Sequence, residues 1–528
     1  MARLGLGEHS QPARVRERGG PARQVEGSAQ PHLHPHGPTQ RWTHPRNYSL
    51  TLAWYKPMLI SLLLLACHPA KESHRDSDTG GPWRTEAVPA EDLAVATVKW
   101  AGYDELEEGV RYAFGNVVSS TDDLDGDSVR DILIGQAGSS SPGYPNTLYV
   151  MSASARGNLS TDAALASLIT HEAFDHALYF QGNGDLDGDG HDDYVVGDSL
   201  LELGYVIRGG VTGVIPPDNI ISTLTFQRDI CEGDSNALSV LVNDISGDAI
   251  DDLVVSCWAL PDRTDYGPAD YLGIFFGPLE PQLTSWNASI LVFHQGSDVA
   301  GFGRRPAWVG DVSGDGVPEI AVLARHDDRW PGGGLFLVSG SESGQVNRWD
   351  LDTVLVGSSF DYPGTPGDVN QDGYHDLTYT YVSEEGHPVV GVALGPFRGI
   401  VQRSEVQVAA ISDEVPIHYD FLEPSSRGED LDGDGWTDVL VYAYQNEGYG
   451  QSYEGRFAVV HGPLEGSIDL KHYPAIASPH PDDYPLPLVL IDDIDGDGLP
   501  DLAYSDYRLN TSHSNDEKAV YLIPGTAL

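Results

Sequence analysis

Acidic, amide and hydroxyl side chains recur in this chain at a spacing suited to holding a hard divalent cation. Seven nine-residue stretches carry the pattern: DLDGDSVRD from Asp123, DLDGDGHDD from Asp185, DISGDAIDD from Asp244, DVSGDGVPE from Asp311, DVNQDGYHD from Asp368, DLDGDGWTD from Asp430 and DIDGDGLPD from Asp493. Positions one, three, five and nine are Asp123, Asp125, Asp127 and Asp131 in the first copy, and Asp185, Asp187, Asp189 and Asp193 in the second. The third offers Asp244, Ser246, Asp248 and Asp252, and the fourth Asp311, Ser313, Asp315 and Glu319. Asp368, Asn370, Asp372 and Asp376 form the fifth set, Asp430, Asp432, Asp434 and Asp438 the sixth, and Asp493, Asp495, Asp497 and Asp501 the seventh. The carbonyl at position seven (Val129, His191, Ile250, Val317, Tyr374, Trp436 and Leu499) would add a further oxygen. Calcium takes six to eight oxygens at roughly 2.3–2.6 Å in a forgiving geometry, whereas magnesium wants a near-ideal octahedron and keeps its waters. The expected cofactor is therefore Ca2+, up to seven ions, in a structural role.

Glycine at position four in six copies and at position six in five lets the backbone turn tightly around an ion. The loop is not an EF-hand, which needs a glutamate at position twelve. That position is Ile134, Val196, Val255, Val322, Tyr379, Val441 and Tyr504. A lone Asp/Gly turn is usually just solvated, but seven in register argue for metal. Copies with four carboxylates, those from Asp123, Asp185, Asp430 and Asp493, should bind tightest. Carboxylates about 4 Å apart repel by roughly 4 kcal/mol at an effective dielectric near 20. Against a domain stability of only about 5–15 kcal/mol, that repulsion should loosen metal-free loops.

The elements that must position these loops follow from the runs around them. Each loop is followed at once by a short β-branched or aromatic run such as DILIG, DDYVVG or TDVLVY, which reads as strand. The loop starts lie 62, 59, 67, 57, 62 and 63 residues apart, and about four strand-like runs fall in each interval. In the second unit these are a run before the loop, YVVG, GYVIRGG and ISTLTF. Such a period denotes a repeat in which each unit is one sheet, and the expected fold is an all-β, seven-bladed propeller of four-stranded antiparallel blades over residues 93–528. The last unit ends at AVYLIPGTAL, three strands in, and the extra run LAVATVKWAG (Leu93 to Gly102) is expected to complete it.

With Phe114-Gly115 and Phe302-Gly303 ahead of their loops and LIG or VVG runs after them, the chain resembles the FG-GAP repeat family. That family includes the seven-bladed head of integrin α subunits and many bacterial surface lipoproteins. The resemblance implies a calcium-bearing propeller over about residues 93–528. Most copies lack a literal FG or GAP, and no inserted ligand-binding domain is visible, so integrin-type signalling is not implied.

Charge and composition narrow the function. The chain has 30 Lys and Arg against 79 Asp and Glu. Residues 1–57 hold eight basic residues and three acids, which leaves 22 against 76 from Cys67 onward. Seven divalent ions would offset only part of that excess, so nucleic acid and anionic lipid are excluded as partners of the folded part. Residues 1–57 read as a disordered or non-native extension, and 58–66 (MLISLLLLA) as the apolar core of a secretory signal, too short to span a bilayer. LLAC, ending at Cys67, resembles the lipobox of bacterial lipoproteins, which implies lipidation of Cys67 and a polar tether over 67–92. The expected location is the bacterial outer membrane or cell surface, or the medium if the lipobox is not used. Export permits a disulfide between Cys231 and Cys257, both expected in connections on one face, and leaves bridged and free forms equally open.

Two functions are in view. The first is a monomeric binding or adhesion scaffold. Its unknown protein or glycan ligand would sit on the loops opposite the calcium face (139–146, 259–270, 324–334 and 443–455), which are rich in Tyr, Trp, Asn and Gly. The alternative is an extracellular hydrolase or lyase acting on polysaccharide or lipid. His171, His176, His326, His375 and His418 are its loose candidates, but no GxSxG or HExxH is present, and no catalytic residue is assigned.

Overall fold

The computed structural model describes residues 88–99, 113–137, 146–169, 178–198, 204–225, 237–258, 271–293, 302–324, 333–412, 421–446, 453–477, 488–505 and 519–525, less 217, 358, 426 and 474. Seven sheets form a seven-bladed β-propeller. Blade two shows the plan. Leu178–Gly184 pairs antiparallel with Asp193–Asp198, that strand with Gly204–Ile207, and that in turn with Ile220–Leu224. The acidic loop joins the first two strands of every blade, as expected.

Each blade runs one strand further than the sequence suggests. A short segment of the following unit adds in parallel to the fourth strand, as Gly213–Val214 does beside Ala166–Ile169 and Gln282–Leu283 beside Ile220–Leu224. All seven sheets therefore have five strands. These added strands are only two to four residues long, too short to show a clear alternating pattern, which is why they escape a periodicity reading. The segment ahead of the first loop behaves like the outer half of a unit. Val88–Pro89 adds in parallel to Ala475–Ala477 of blade six, five residues ahead of the expected propeller start at Leu93. Ala96–Lys99 pairs antiparallel with Ala519–Leu522 in blade seven. Cys257 lies within the second strand of blade three, Asp252–Trp258, and not in a connection. Its side chain and all of Cys231 fall outside the described residues, and the disulfide question with them.

The core explains the apolar runs after each loop. Seven hydrophobic clusters are shared between neighbouring blades, one for each of the seven interfaces. Alternate side chains of a second strand enter opposite clusters. Ile132 and Ile134 pack toward blade seven, while Leu133 packs with Tyr194 and Val196 of blade two. A strand buried on both faces reads as a continuous apolar run, and each fully buried Ile, Leu or Val contributes about 1.5–3 kcal/mol. Phe114 and Phe302 are both completely buried. Gly115 follows with φ at 77°, and a Cβ there would collide with Ser505 Oγ of blade seven.

Candidate metal centres

All seven loops fold alike, around the carboxylate at position one. In loop two, Asp185 Oδ1 accepts from the backbone N–H of Gly188 at 2.8 Å and of Asp189 at 3.0 Å, and Oδ2 from Gly190 at 2.9 Å. Asp187 accepts from Asp189 N–H at 3.1 Å, and Asp189 from His191 N–H at 3.1 Å. The last contact recurs in every loop, at Val129, Ile250, Val317, Tyr374, Trp436 and Leu499. Curling the backbone this way requires the left-handed region at positions four and six. Where glycine is missing there, Ser128, Ala249 and Gln371 take φ of 75°, 70° and 59°. Such residues are held at a cost of about 1–2 kcal/mol each.

Position nine does a different job. Asp193 Oδ2 accepts from Leu186 N–H and Oδ1 from Gly209 N–H, both at 3.1 Å, tying the loop to the exit of the third strand. The same tie is made by Asp252 to Gly277 (2.9 Å), Asp376 to Gly395 (2.8 Å), Asp438 to Gly462 (2.9 Å) and Asp501 to Gly525 (2.6 Å). All seven position-nine carboxylates are at most 2% exposed. Burial, reinforced by neighbouring loop carboxylates, pushes Asp131, Asp193, Glu319 and Asp376 up to about 7 and Asp252 up to about 6. Burial raises Asp438 and Asp501 as well. A cation beside these groups would reverse the penalty on their ionised forms.

The donor sets fit a hard divalent ion. Ligand oxygens of Asp123, Asp125 and Asp127 gather within 4.8 Å of one another, as do those of Asp185, Asp187 and Asp193. So do those of Asp311, Asp315 and Glu319, and of Asp430, Asp432 and Asp434. At position three of loop three, the Ser246 hydroxyl is buried with no hydrogen-bond partner, an orphan that an ion would satisfy. In loop five the set is partly self-satisfied, since the Asn370 amide donates to Asp372 Oδ2 at 2.9 Å.

Sequence reasoning missed the residue just ahead of the third-strand exit glycine. In blade two it is Arg208, whose guanidinium pairs with Asp187 and, at 2.7 Å, with Asp189. In blade six it is His461, whose Nδ1 faces Asp432 Oδ2 at 3.4 Å and Asp438 Oδ2 at 3.2 Å. Superposing the repeats on that glycine would have exposed a column reading Arg208, Phe276, Ser339, Leu394, His461 and Pro524. Neighbouring loops are also linked. Arg130 pairs with Asp192 at 2.7 Å, Asp185 N–H donates to Asp251 at 2.9 Å, and Gln371 donates to the Gly435 carbonyl at 2.8 Å. His375 packs edge-on against Trp308 with ring centroids 5.4 Å apart. His171, His176, His326 and His418, Cys67 with its leader and tether up to 87, and most of the four opposite-face loops lie outside the described residues.

Fold and loops together define a seven-bladed propeller with an acidic nine-residue loop between the first two strands of every blade. Over part of its length the chain is similar to integrin alpha pat-2 of Caenorhabditis elegans, at 28% identity over 185 residues, and of Caenorhabditis briggsae, at 27% over 187. Each match covers 32% of this chain and 14% of the relative, so the chain spans about a seventh of the curated relatives it matches. No protein-family model matches the chain. This weak homology agrees with the integrin α side of the FG-GAP resemblance. Among the described residues no helix is long and apolar enough to cross a membrane.

Proposed function

We propose that the chain is a calcium-stabilised propeller that works outside the cell as a binding or adhesion scaffold. The observation that carries this reading is the sevenfold recurrence of one carboxylate network, with a buried acid at position nine pinning each loop to its blade. Calcium at positions one, three, five, seven and nine would neutralise carboxylates that otherwise repel, and so hold the first hairpin of each blade. The ions are structural in this reading. Recognition of a protein or glycan falls to the loops on the opposite face, where Tyr, Trp and Asn residues are concentrated. The likeness to an integrin α subunit supports adhesion over catalysis. Cys67 would be the lipid-bearing residue that tethers the propeller to a bacterial surface, with residues 1–66 absent from the mature protein.

An array of glycans and extracellular proteins, probed with calcium and with chelator, tests the scaffold reading. Calcium-dependent binding to a defined ligand is expected, and glycan or lipid cleavage without stable binding would overturn it. Metabolic labelling with a fatty acid tests the anchor. Label should enter the wild type and be lost in Cys67→Ala.

A further inference from the structure

The sixth loop differs from the others in chemistry, because an imidazole stands over it. His461 Nδ1 is shielded from solvent and turned toward two carboxylate oxygens, at 3.4 Å from Asp432 and 3.2 Å from Asp438. These three residues form a cluster whose ligand atoms lie within 4.8 Å of one another. An imidazole nitrogen this close to two anionic oxygens must either donate a proton to one of them, as in a His461–Asp438 hydrogen bond, or share a metal ion with both. The two separations match the edge of about 3.3 Å expected between ligands held roughly 2.0 Å from a tetrahedral ion. Calcium takes oxygen ligands, whereas imidazole suits borderline ions such as zinc, copper and nickel. Asp432 also belongs to the all-oxygen cluster with Asp430 and Asp434, so the two ligand sets compete for one carboxylate. The buried Asp438 is further fixed by Gly462 N–H at 2.9 Å and Leu431 N–H at 2.9 Å, which aims it without help from an ion. At the equivalent place blades two, three, four, five and seven carry Arg208, Phe276, Ser339, Leu394 and Pro524, none of which offers a metal-binding nitrogen.

We propose that loop six is a mixed nitrogen–oxygen site, made by His461, Asp432 and Asp438, that takes a borderline first-row dication such as zinc in preference to calcium. The proposal rests on the reading of the loops as divalent-cation sites and refines it for one blade.

The test uses the full chain, saturated with calcium and titrated with Co2+ as a spectroscopic stand-in for zinc. Wild type should show one equivalent of calcium-resistant cobalt with ligand-field absorption, displaced by zinc. His461→Gln should lose that absorption and bind zinc at this site at least about tenfold more weakly, with an unchanged circular dichroism spectrum. His461→Asp, which restores an all-oxygen set, should also lose it and gain one calcium equivalent. Histidines elsewhere contribute equally to all three proteins and cancel in the difference. If the absorption and zinc affinity of either variant equal those of wild type, the proposal is wrong. The calcium reading fails separately, by showing no calcium-dependent rise in melting temperature in wild type or variants alike.

Discussion

Loops two and six open with the same six residues, DLDGDG, yet they meet different side chains from the third strand of their blades. Over loop two lies the Arg208 guanidinium, which occupies Asp187 and Asp189 with a charge built into the chain. Over loop six lies the His461 imidazole, 3.2 Å from Asp438 Oδ2, which in our proposal adds a ligand instead of a counter-charge. The difference teaches that the nine-residue loop sets the cradle, while a residue some twenty positions later decides what the cradle prefers. Counting carboxylates ranks these two loops together. The geometry separates them.

The largest effect that could blur this distinction is common to all blades. The buried position-nine acids have native values pushed above their unfolded value, to about 7 for Asp131, Asp193, Glu319 and Asp376. The native state then keeps protons that the unfolded chain has released, so metal-free stability should fall as pH rises from about 4 to about 7. One unit of such a shift is worth about 1.4 kcal/mol, so even partial shifts in seven loops outweigh any single substitution. Urea titrations in EDTA at a series of pH values should show this slope, and calcium should flatten it. A metal-free protein that gains stability over that interval would contradict the account.

Next in size is the tie to the third strand. Asp193→Ala and Asp438→Ala each strand two backbone N–H groups, at about 1–3 kcal/mol per group, so a loss of roughly 3 kcal/mol is expected in both blades. Equal losses in chemical denaturation would show that the cradles match and that only the overhanging residue differs. Unequal losses would move the distinction into the loops themselves. Arg208→Ala sharpens the comparison from the other side. Its ion pairs are partly exposed, so metal-free stability should drop by no more than about 1 kcal/mol. Calorimetry should meanwhile show tighter calcium binding at loop two, since no guanidinium has to be displaced. The smallest effect belongs to Ala249, held at φ 70° where five of the other six loops have glycine. Ala249→Gly should relieve that strain and raise the melting temperature slightly, by about 0.5–1 kcal/mol in stability.

Much of this was legible in the residues. The seven Asp-rich stretches, their glycines and the apolar runs behind them specify loop, hairpin and blade together. The period of about 60 residues specifies the number of blades. The left-handed φ at Ser128, Ala249 and Gln371 shows that the turn is imposed by the loop network even where glycine is absent. Three things were not legible. Two-residue parallel strands such as Gly213–Val214 are too short to carry a pattern. The tie that position nine makes to the third strand depends on Gly209, Gly462 and their equivalents, which only the fold brings near. Arg208 and His461 sit beyond the loop motif, and nothing within nine residues announces them.

The most direct measurement is the melting curve of the full chain in calcium and in EDTA at neutral pH. If ions clamp the first hairpin of each blade, chelation should lower the melting temperature markedly and added calcium should restore it. Superimposable curves would mean the buried acids hold their loops unaided, and the propeller would stand without metal.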